Sequence, residues 1–394
     1  MAYHYMVHYA EIGLKGKNRP DFERQLVRNI RRQHPVTGVR RLPGRIVVES
    51  EVPLFLGDVF GLAWWAEARL FPADLGAIAQ GAEAEARKNL DGVSSFAVRA
   101  KVVNKGFSHS ARDLEVTLGQ HIKDALDLRV DLTHPDLTVF VEVLYPEAFL
   151  YTDKRPGPGG LPVGVSGRLM GLFSGGIDSA VAAYLMAKRG AVVELVHFHA
   201  LPEAAQAHEA KAGQLAGALA RFLPSLVVHY APYWPFQLAT ASLPPRLAPQ
   251  ELVVFRRFMW RVAARLAGLR RAGALFTGDS LGQVASQTLG NLMAADQAVD
   301  MTVFRPLIAY DKREIVDLAR KLGLYELSIQ PYKDCCSIVA RGPATRAKLE
   351  RIAEIEGEID LAKLVEETLE GVVTYRYSPQ GKAHRVDREA PTAT

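Results

Sequence analysis

An apolar run from Leu169 to Phe173 ends in Ser174-Gly175-Gly176-Ile177-Asp178-Ser179 and passes into an alanine-rich stretch, Ala180 to Lys188. This order of residue types predicts a buried strand, a tight glycine turn and the start of a helix. The first N–H groups of a helix have no partner within it, and the helix dipole puts positive charge there. Such a turn therefore suits a phosphate. Gly175 and Gly176 let the main chain approach the anion with no side chain between. Asp178 or Ser179 is expected to cap the helix, or Asp178 to hold a Mg²⁺ ion that bridges phosphate oxygens. The turn lacks the Gly-Lys-Ser/Thr ending of a Walker-type loop and the G-x-G-x-x-G dinucleotide pattern.

Other residues could complete a site around that turn. His197 and Phe198 close a strand from Val192; a ring there could pack on adenine, or the two could be core residues. A helix from Glu251 carries an apolar stripe, Leu252, Phe255, Met259, Val262 and Leu266, and a basic one, Arg257, Arg261 and Arg265. The basic stripe reads as a solvated face or as contact with an RNA backbone. Arg256 falls toward the core side, where it needs a nucleotide phosphate or a structural carboxylate as partner. Gly278-Asp279-Ser280-Leu281-Gly282-Gln283-Val284-Ala285-Ser286-Gln287 reads as strand, loop and helix, with Gln283 and Gln287 on one helix face. Cys335 and Cys336 are the only cysteines and lie in a polar loop with Lys333 and Arg341 nearby, which favours a thiolate. No C-x-x-C or neighbouring His completes a metal site. Sulfur chemistry, inert packing and a strained vicinal disulfide remain as readings.

The elements that must position these residues follow from periodicity. Strands are expected at Leu169–Phe173, Val192–Phe198, Leu226–His229, Ala274–Thr277 and Met301–Phe304. Helices are expected at Ser179–Lys188, Ala205–Phe222, Glu251–Leu266, Gln283–Ala294 and Lys312–Leu322, the last with a capping box of Asp311 and Glu314. This alternation argues for α/β architecture, a parallel sheet with helices on both faces and ligands beyond the strands' carboxyl ends. Before it, Tyr3–Tyr9, Asp21–Arg32 and Arg45–Glu49 read as a small α+β unit. Residues 73–90, Ser95–Val102, Arg112–Asp127 and Leu137–Leu144 read as a second. The Pro/Gly-rich run Arg155 to Pro162 looks like a domain boundary. Two helical segments are expected over about 345–370, and a frayed polar tail after Gly381.

At 394 residues the chain is expected to hold two or three domains. A net charge of +5 and a pI near 9.1 admit a polyanionic partner. No apolar run reaches the ~18 residues needed to span a membrane, and the start lacks the layout of a secretory signal. With two adjacent cysteines and no disulfide framework, the expected compartment is the cytoplasm.

The turn Ser174–Ser179 after a hydrophobic strand resembles the loop of the ATP pyrophosphatases, which split ATP between its α and β phosphates and adenylate a substrate oxygen. Taken with Glu11 to Arg19, Arg256-Arg257-Phe258-Met259, Gly278–Gln287 and Pro306-Leu307-Ile308, the chain resembles the tRNA 4-thiouridine synthetases of the ThiI type, or tRNA sulfurtransferases. That resemblance implies a ferredoxin-like domain at residues 1–59, a THUMP RNA-binding domain at 60–165 and a PP-loop pyrophosphatase domain with a helical extension at 166–394. It implies that ATP with Mg²⁺ adenylates the uridine at tRNA position 8 and that a persulfide then gives 4-thiouridine. It carries nucleotide contact to Leu172, Phe173, His197, Phe198, Arg256, Gly278 and Gln287, beside the loop residues Ser174, Gly175, Gly176, Asp178 and Ser179. Asp178 matches the aspartate needed for adenylation, and Cys336 the cysteine of the catalytic domain; the family's paired-cysteine step does not carry over, and Cys335 is instead the candidate resolving thiol. Lys15, Lys17, Arg19, Lys101, Lys105 and Arg112 are the candidate RNA contacts. No rhodanese domain is expected, so sulfur would come from a cysteine desulfurase or a small carrier. The thiamine role of some members is tied to that missing domain. A homodimer, with one tRNA spanning two subunits, is a further expectation. The rival readings are another thiolase with the same loop and an RNA-binding module with a regulatory nucleotide site.

Overall fold

The computed structural model describes residues 2–9, 11–201, 204–331 and 343–386. The chain divides into two compact units, Met1–Gly160 and Leu161–Thr394. The first contains β1 (Tyr3–Tyr9), α1 (Arg19–Gln33), β2 (Gly38–Leu42), β3 (Arg45–Ser50), β4 (Leu62–Pro72), α2 (Leu75–Arg87), β5 (Ser95–Val102), α3 (Ala111–Leu126), β6 (Arg129–Val130), β7 (Leu137–Leu144), β8 (Glu147–Tyr151) and β9 (Arg155–Pro156). Its sheet runs β2-β3-β1-β4-β8-β7-β5-β6, with β9 on β4. The helices cover one face: α1 buries Leu26 and Ile30, while α2 and α3 bury Ile78, Ala82, Leu114, Leu118 and Ile122.

On the other face Arg45 of β3 pairs with Glu142 of β7, although β1, β4 and β8 lie between them in the sheet. The sheet is therefore strongly curled. Tyr151 donates its hydroxyl to Glu142 at 2.8 Å, and His8 Nε2 lies 3.2 Å from the same carboxylate. Burial, reinforced by the positive charges of Arg45, Lys101 and Lys154, pushes His8 down to about 3, so its ring stays neutral.

The second unit contains β10 (Arg168–Leu172), α4 (Ile177–Lys188), β11 (Val192–His199), α5 (Ala204–Glu209), α6 (Lys211–Ala220), β12 (Leu226–Pro232), α7 (Trp234–Thr240), α8 (Glu251–Arg270), β13 (Ala274–Phe276), α9 (Leu289–Asp296), β14 (Val303–Phe304), α10 (Lys312–Lys321), α11 (Tyr325–Ser328), α12 (Leu349–Glu358), α13 (Leu361–Glu370), β15 (Val373–Tyr377) and β16 (Ala383–Val386). The order is β14-β13-β10-β11-β12-β15-β16. The first five strands are parallel, as expected from the alternation. The last two are antiparallel and seal the β12 edge, and β16 replaces the frayed tail expected after Gly381 as far as Val386. Val373-Thr374-Tyr375-Arg376-Tyr377 is β-branched and aromatic, and burying Thr374, Tyr375 and Tyr377 holds it on the sheet. The single helix expected over Ala205–Phe222 is two, because Ala210 takes an extended conformation between them.

A buried ion cluster ties four strands together below the sheet. Glu194 is 2% exposed and accepts from Arg270 Nε at 2.8 Å and His229 Nε2 at 3.1 Å, with Arg168 Nη1 3.0 Å away. The other nitrogen of His229 meets Thr374 Oγ1 at 2.9 Å. Burial raises the Glu194 pKa, but the hydrogen bonds from His229 and Arg270 outweigh it and hold the carboxyl at about 2. Because its folded pKa is depressed, Glu194 stabilises the fold above the unfolded value near 4.5, and that share is lost as the pH falls toward 2. Glu194→Gln leaves buried cations uncompensated and is expected to destabilise the protein by about 3–5 kcal/mol at pH 7. The gap to the parent should narrow between pH 4.5 and 2, read from urea unfolding midpoints across that range.

Candidate nucleotide-binding site

The sheet order reverses at β10, whose neighbours are β11 on one side and β13 on the other. In an open α/β sheet this leaves a crevice beyond the strand ends. The turn from β10 into α4 stands at its rim. Gly175 has φ +77°, a conformation that glycine adopts without strain. The Ser174 hydroxyl accepts from Gly176 N at 3.2 Å, and Ser179 donates to Gly176 O at 2.9 Å, which tightens the turn. The N-cap of α4 is Gly176, and no side chain caps it. The expected capping by Asp178 or Ser179 is thus corrected: both lie inside the first turn, with the Asp178 carboxylate left for other partners.

Asp178 accepts from Lys312 Nζ at 2.7 and 2.9 Å and from Gln283 Nε2 at 3.1 Å. Lys312 opens α10 and was not singled out in the sequence. The capping box of Asp311 and Glu314 beside it is present as expected, and that box is the signal that could have directed attention to the two residues between them, Lys312 and Arg313.

A cavity of about 240 Å³ adjoins the turn. Leu172, Val196, Phe198 and Met259 supply apolar walls. Phe173, Ser174, Asp178 and Ser179 form the loop end, and Arg256, Thr277, Gly278, Asp279, Gln283, Val284, Ser286 and Gln287 complete it. An apolar wall beside a helix N-terminus is the arrangement that a base and its phosphates require. Of the expected nucleotide contacts, Leu172, Phe173, Ser174, Asp178, Ser179, Phe198, Arg256, Gly278 and Gln287 converge on this cavity; Gly175, Gly176 and His197 do not line it. His197 is fully buried, and its Nδ1–H donates to Phe173 O at 2.7 Å, so it ties the loop to β11 from behind.

Asp279 organises the far wall. It is 2% exposed and accepts from Arg256 Nη2 at 2.6 Å, Gln287 Nε2 at 3.3 Å and Arg305 Nε at 3.4 Å. Of the two partners open to Arg256, the structural carboxylate is the one in contact. The basic stripe is corrected as well. Arg257 and Arg261 both bind Glu356 of α12, and Arg265 binds Glu366 of α13. Glu356 thus takes Arg257 and Arg261 out of the solvated or RNA-facing reading, while Arg265 with Glu366 stays exposed, as on a solvated face.

The expected helix Gln283–Ala294 is a further correction. Ala285–Gln287 is a short 3-10 turn, and Thr288 caps a new helix from Leu289 by accepting from Asn291 N at 3.3 Å. Gln283 therefore sits in the preceding turn, not on a helix face shared with Gln287.

Among the candidate RNA contacts, Lys17, Lys101, Lys105 and Arg112 are exposed. Lys15 lies 5.0 Å from the centre of the Phe22 ring, and Arg19 is engaged by Tyr9 at 2.6 Å and Glu23 at 2.9 Å. Cys335, Cys336, Lys333 and Arg341 lie outside the described residues. No described helix is long and apolar enough to cross a membrane.

The chain matches the family profile described as thiamine biosynthesis protein (ThiI) over residues 164–361, the THUMP domain over 72–153 and the ThiI ferredoxin-like domain over 4–63. It is 39% identical to a probable tRNA sulfurtransferase of Moorella thermoacetica, across 95% of this chain and 98% of that protein. To a probable tRNA sulfurtransferase of Thermus thermophilus it is also 39% identical, across 95% and 94%. Among solved structures, a 4-thiouridine synthetase–RNA complex with bound ATP superimposes with a TM-score of 0.86 at 33% identity, covering 98% of this chain and all of that one. PH1313 from Pyrococcus horikoshii superimposes with a TM-score of 0.64 at 25% identity, covering 82% and 99%.

Proposed function

The chain belongs to the ThiI family, and from that premise we propose that it is an ATP-dependent tRNA sulfurtransferase that converts the uridine at tRNA position 8 to 4-thiouridine. The observation that carries this reading is the cavity shared by the Ser174–Ser179 turn, the end of β11 and the Gly278–Gln287 segment. The base of ATP lies against Phe198, Val196 and Met259, and its phosphates lie at the N-terminus of α4, where free N–H groups favour anions. Residues 166–394 act as the catalytic domain, and the ferredoxin-like and THUMP domains at 1–59 and 60–165 engage tRNA through the basic residues named above.

Asp178 is the residue here that would hold Mg²⁺ beside the phosphates. One carboxylate suffices, since Mg²⁺ takes most of its ligands from phosphates and water, and the salt bridge of Asp178 with Lys312 is partly open to solvent, so the carboxylate can exchange that partner for the ion. When bound, the ion neutralises charge on the departing pyrophosphate.

The uracil C4 oxygen attacks the α-phosphorus, the bond to the α,β-bridging oxygen breaks, and pyrophosphate leaves. The N3 proton passes to solvent as C4=N3 forms. Adenylation converts a poor leaving group into a good one. The terminal sulfur of a persulfide on Cys336 then attacks C4, and AMP leaves with the oxygen. A second thiol, assigned to Cys335, attacks the Cys336 sulfur and releases 4-thiouridine, and an external dithiol reduces the disulfide. The persulfide sulfur comes from a cysteine desulfurase or a small carrier, and a homodimer would present one tRNA to both units.

ATP–pyrophosphate exchange with and without tRNA, followed by mass spectrometry of the nucleosides, tests the assignment. Exchange dependent on tRNA and a 4-thiouridine product are expected; tRNA binding without exchange would sink it. Cys336→Ser is expected to keep adenylation while cutting thiolation at least about a hundredfold, as for loss of a nucleophile. Full thiolation by that variant would reassign the sulfur step.

A further inference from the structure

Two buried acceptors in the cavity wall, Gln283 Oε1 and Gln287 Oε1, have no partner among the described residues, and Gln283 is the one beside Asp178. Gln283 Nε2 donates to Asp178 Oδ2 at 3.1 Å. Both oxygens of Asp178 also accept from Lys312 Nζ, at 2.7 and 2.9 Å, so the carboxylate faces Gln283 as an acceptor. Flipping the Gln283 amide would set oxygen against oxygen; its orientation is therefore fixed by chemistry. Gln283 Oε1 is then a buried acceptor, and no described residue donates to it. Leaving such an atom unpaired is costly, which makes a donor on a ligand the natural partner.

The donor must belong to something that comes near Asp178, at the phosphate end of the cavity. The surface beside Gln283 says what kind of group that is. Leu281 is 54% exposed, Val284 51% and Ile308 38%; Val284 lines the cavity, and Leu281 N donates to Ile308 O at 3.1 Å, which brings Ile308 beside the Leu281–Val284 turn. Exposed apolar side chains next to a buried acceptor suit a flat ring with an edge N–H. An RNA base drawn out of its stack is such a ring.

We propose that Gln283 is the residue that selects uracil: its Oε1 accepts the N3–H of the target uridine while Leu281, Val284 and Ile308 face the ring. N3–H adjoins C4=O, so this bond turns the C4 oxygen toward the α-phosphorus held beside Asp178. Cytosine presents a lone pair at N3 and an amine at C4, and it is rejected at both atoms. The proposal rests on the sulfurtransferase reading and extends it to base choice. Gln283 is here a specificity residue; the amide is too weak a base to take the proton itself.

The test is a protein–substrate double substitution on the full chain. Single-turnover pyrophosphate release is measured for the parent and Gln283→Ala, each with tRNA carrying uridine or 3-deazauridine at the target position, together with ATP affinity by equilibrium binding; 3-deazauridine replaces the N3–H by a C–H, while its 4-hydroxyl can still lose a proton and take the adenylyl group. For the parent, loss of the N3–H should slow release at least about a hundredfold, as expected for a site built around one substrate N–H. Gln283→Ala should slow release from uridine about tenfold to a hundredfold, hold ATP affinity within about threefold and shrink the deaza penalty below about tenfold. An undiminished deaza penalty in Gln283→Ala overturns the proposal. So does a parallel collapse of ATP affinity, which would make Gln283 only a support for Asp178. Absence of release by the parent with uridine would instead fell the sulfurtransferase reading beneath it.

Discussion

Asp178→Ala is expected to lower ATP–pyrophosphate exchange and tRNA thiolation by about a thousandfold, the upper range for removing one charge-stabilising group from an active site. The loss should be chemical and not structural. Asp178 is 24% exposed at its side chain and Lys312 50%. A pair that open to solvent contributes under about 1 kcal/mol, so the melting temperature should barely move. The other carboxylate on the cavity, Asp279, is already engaged by Arg256, Arg305 and Gln287 and cannot substitute. Asp178→Asn keeps the shape and loses the charge; it should be nearly as impaired, which separates charge from packing. Exchange at the parental rate in either variant would remove Asp178 from the mechanism.

Gly278→Ala is expected to cut ATP affinity about a hundredfold, a loss typical of an ångström-scale misplacement of binding groups. A β-carbon at Gly278 would lie 2.6 Å from the carbonyl carbon and oxygen of Asp178 and 2.8 Å from Ser179 N. These are main-chain atoms in the first turn of α4 and cannot swing aside. Either the turn or the Gly278–Gln287 segment must retreat, and the two walls of the cavity separate. Strain of this kind costs about 1–3 kcal/mol, so the melting temperature should also fall. Equilibrium binding of ATP is the decisive reading; unchanged affinity would mean that the close approach has no part in the site.

How much of this was legible depended on how local the determinants were. Ser174 to Ser179 announced itself because adjacent glycines between hydroxyl residues have few other uses, and Arg256, Gly278 and Gln287 could be carried to the same site by resemblance. Ser95–Val102 and Leu137–Leu144 matched their strands residue for residue, since alternation and β-branching are written within a few positions. β4 was missed: Leu62 to Pro72 holds two adjacent tryptophans and buries residues toward both faces, so it shows no clean period. Gln283 was placed on a helix because Gln283, Ser286 and Gln287 fit helical spacing, while Thr288 as a cap only a few residues on was overlooked. The pairing of Arg257 and Arg261 with Glu356 spans nearly a hundred positions, and nothing near the arginines points to it. Asp279 likewise looked like turn chemistry until its three partners stood around it.

The β15–β16 hairpin imposes an order of events. His229 of β12 waits for Thr374, a partner 145 positions later. Until the 370s leave the ribosome, β12 shows a bare hydrogen-bonding edge of the kind that recruits other strands. Nascent chains of this protein should therefore be most vulnerable to clumping late in synthesis, after the nucleotide loop has been made but before its sheet is sealed.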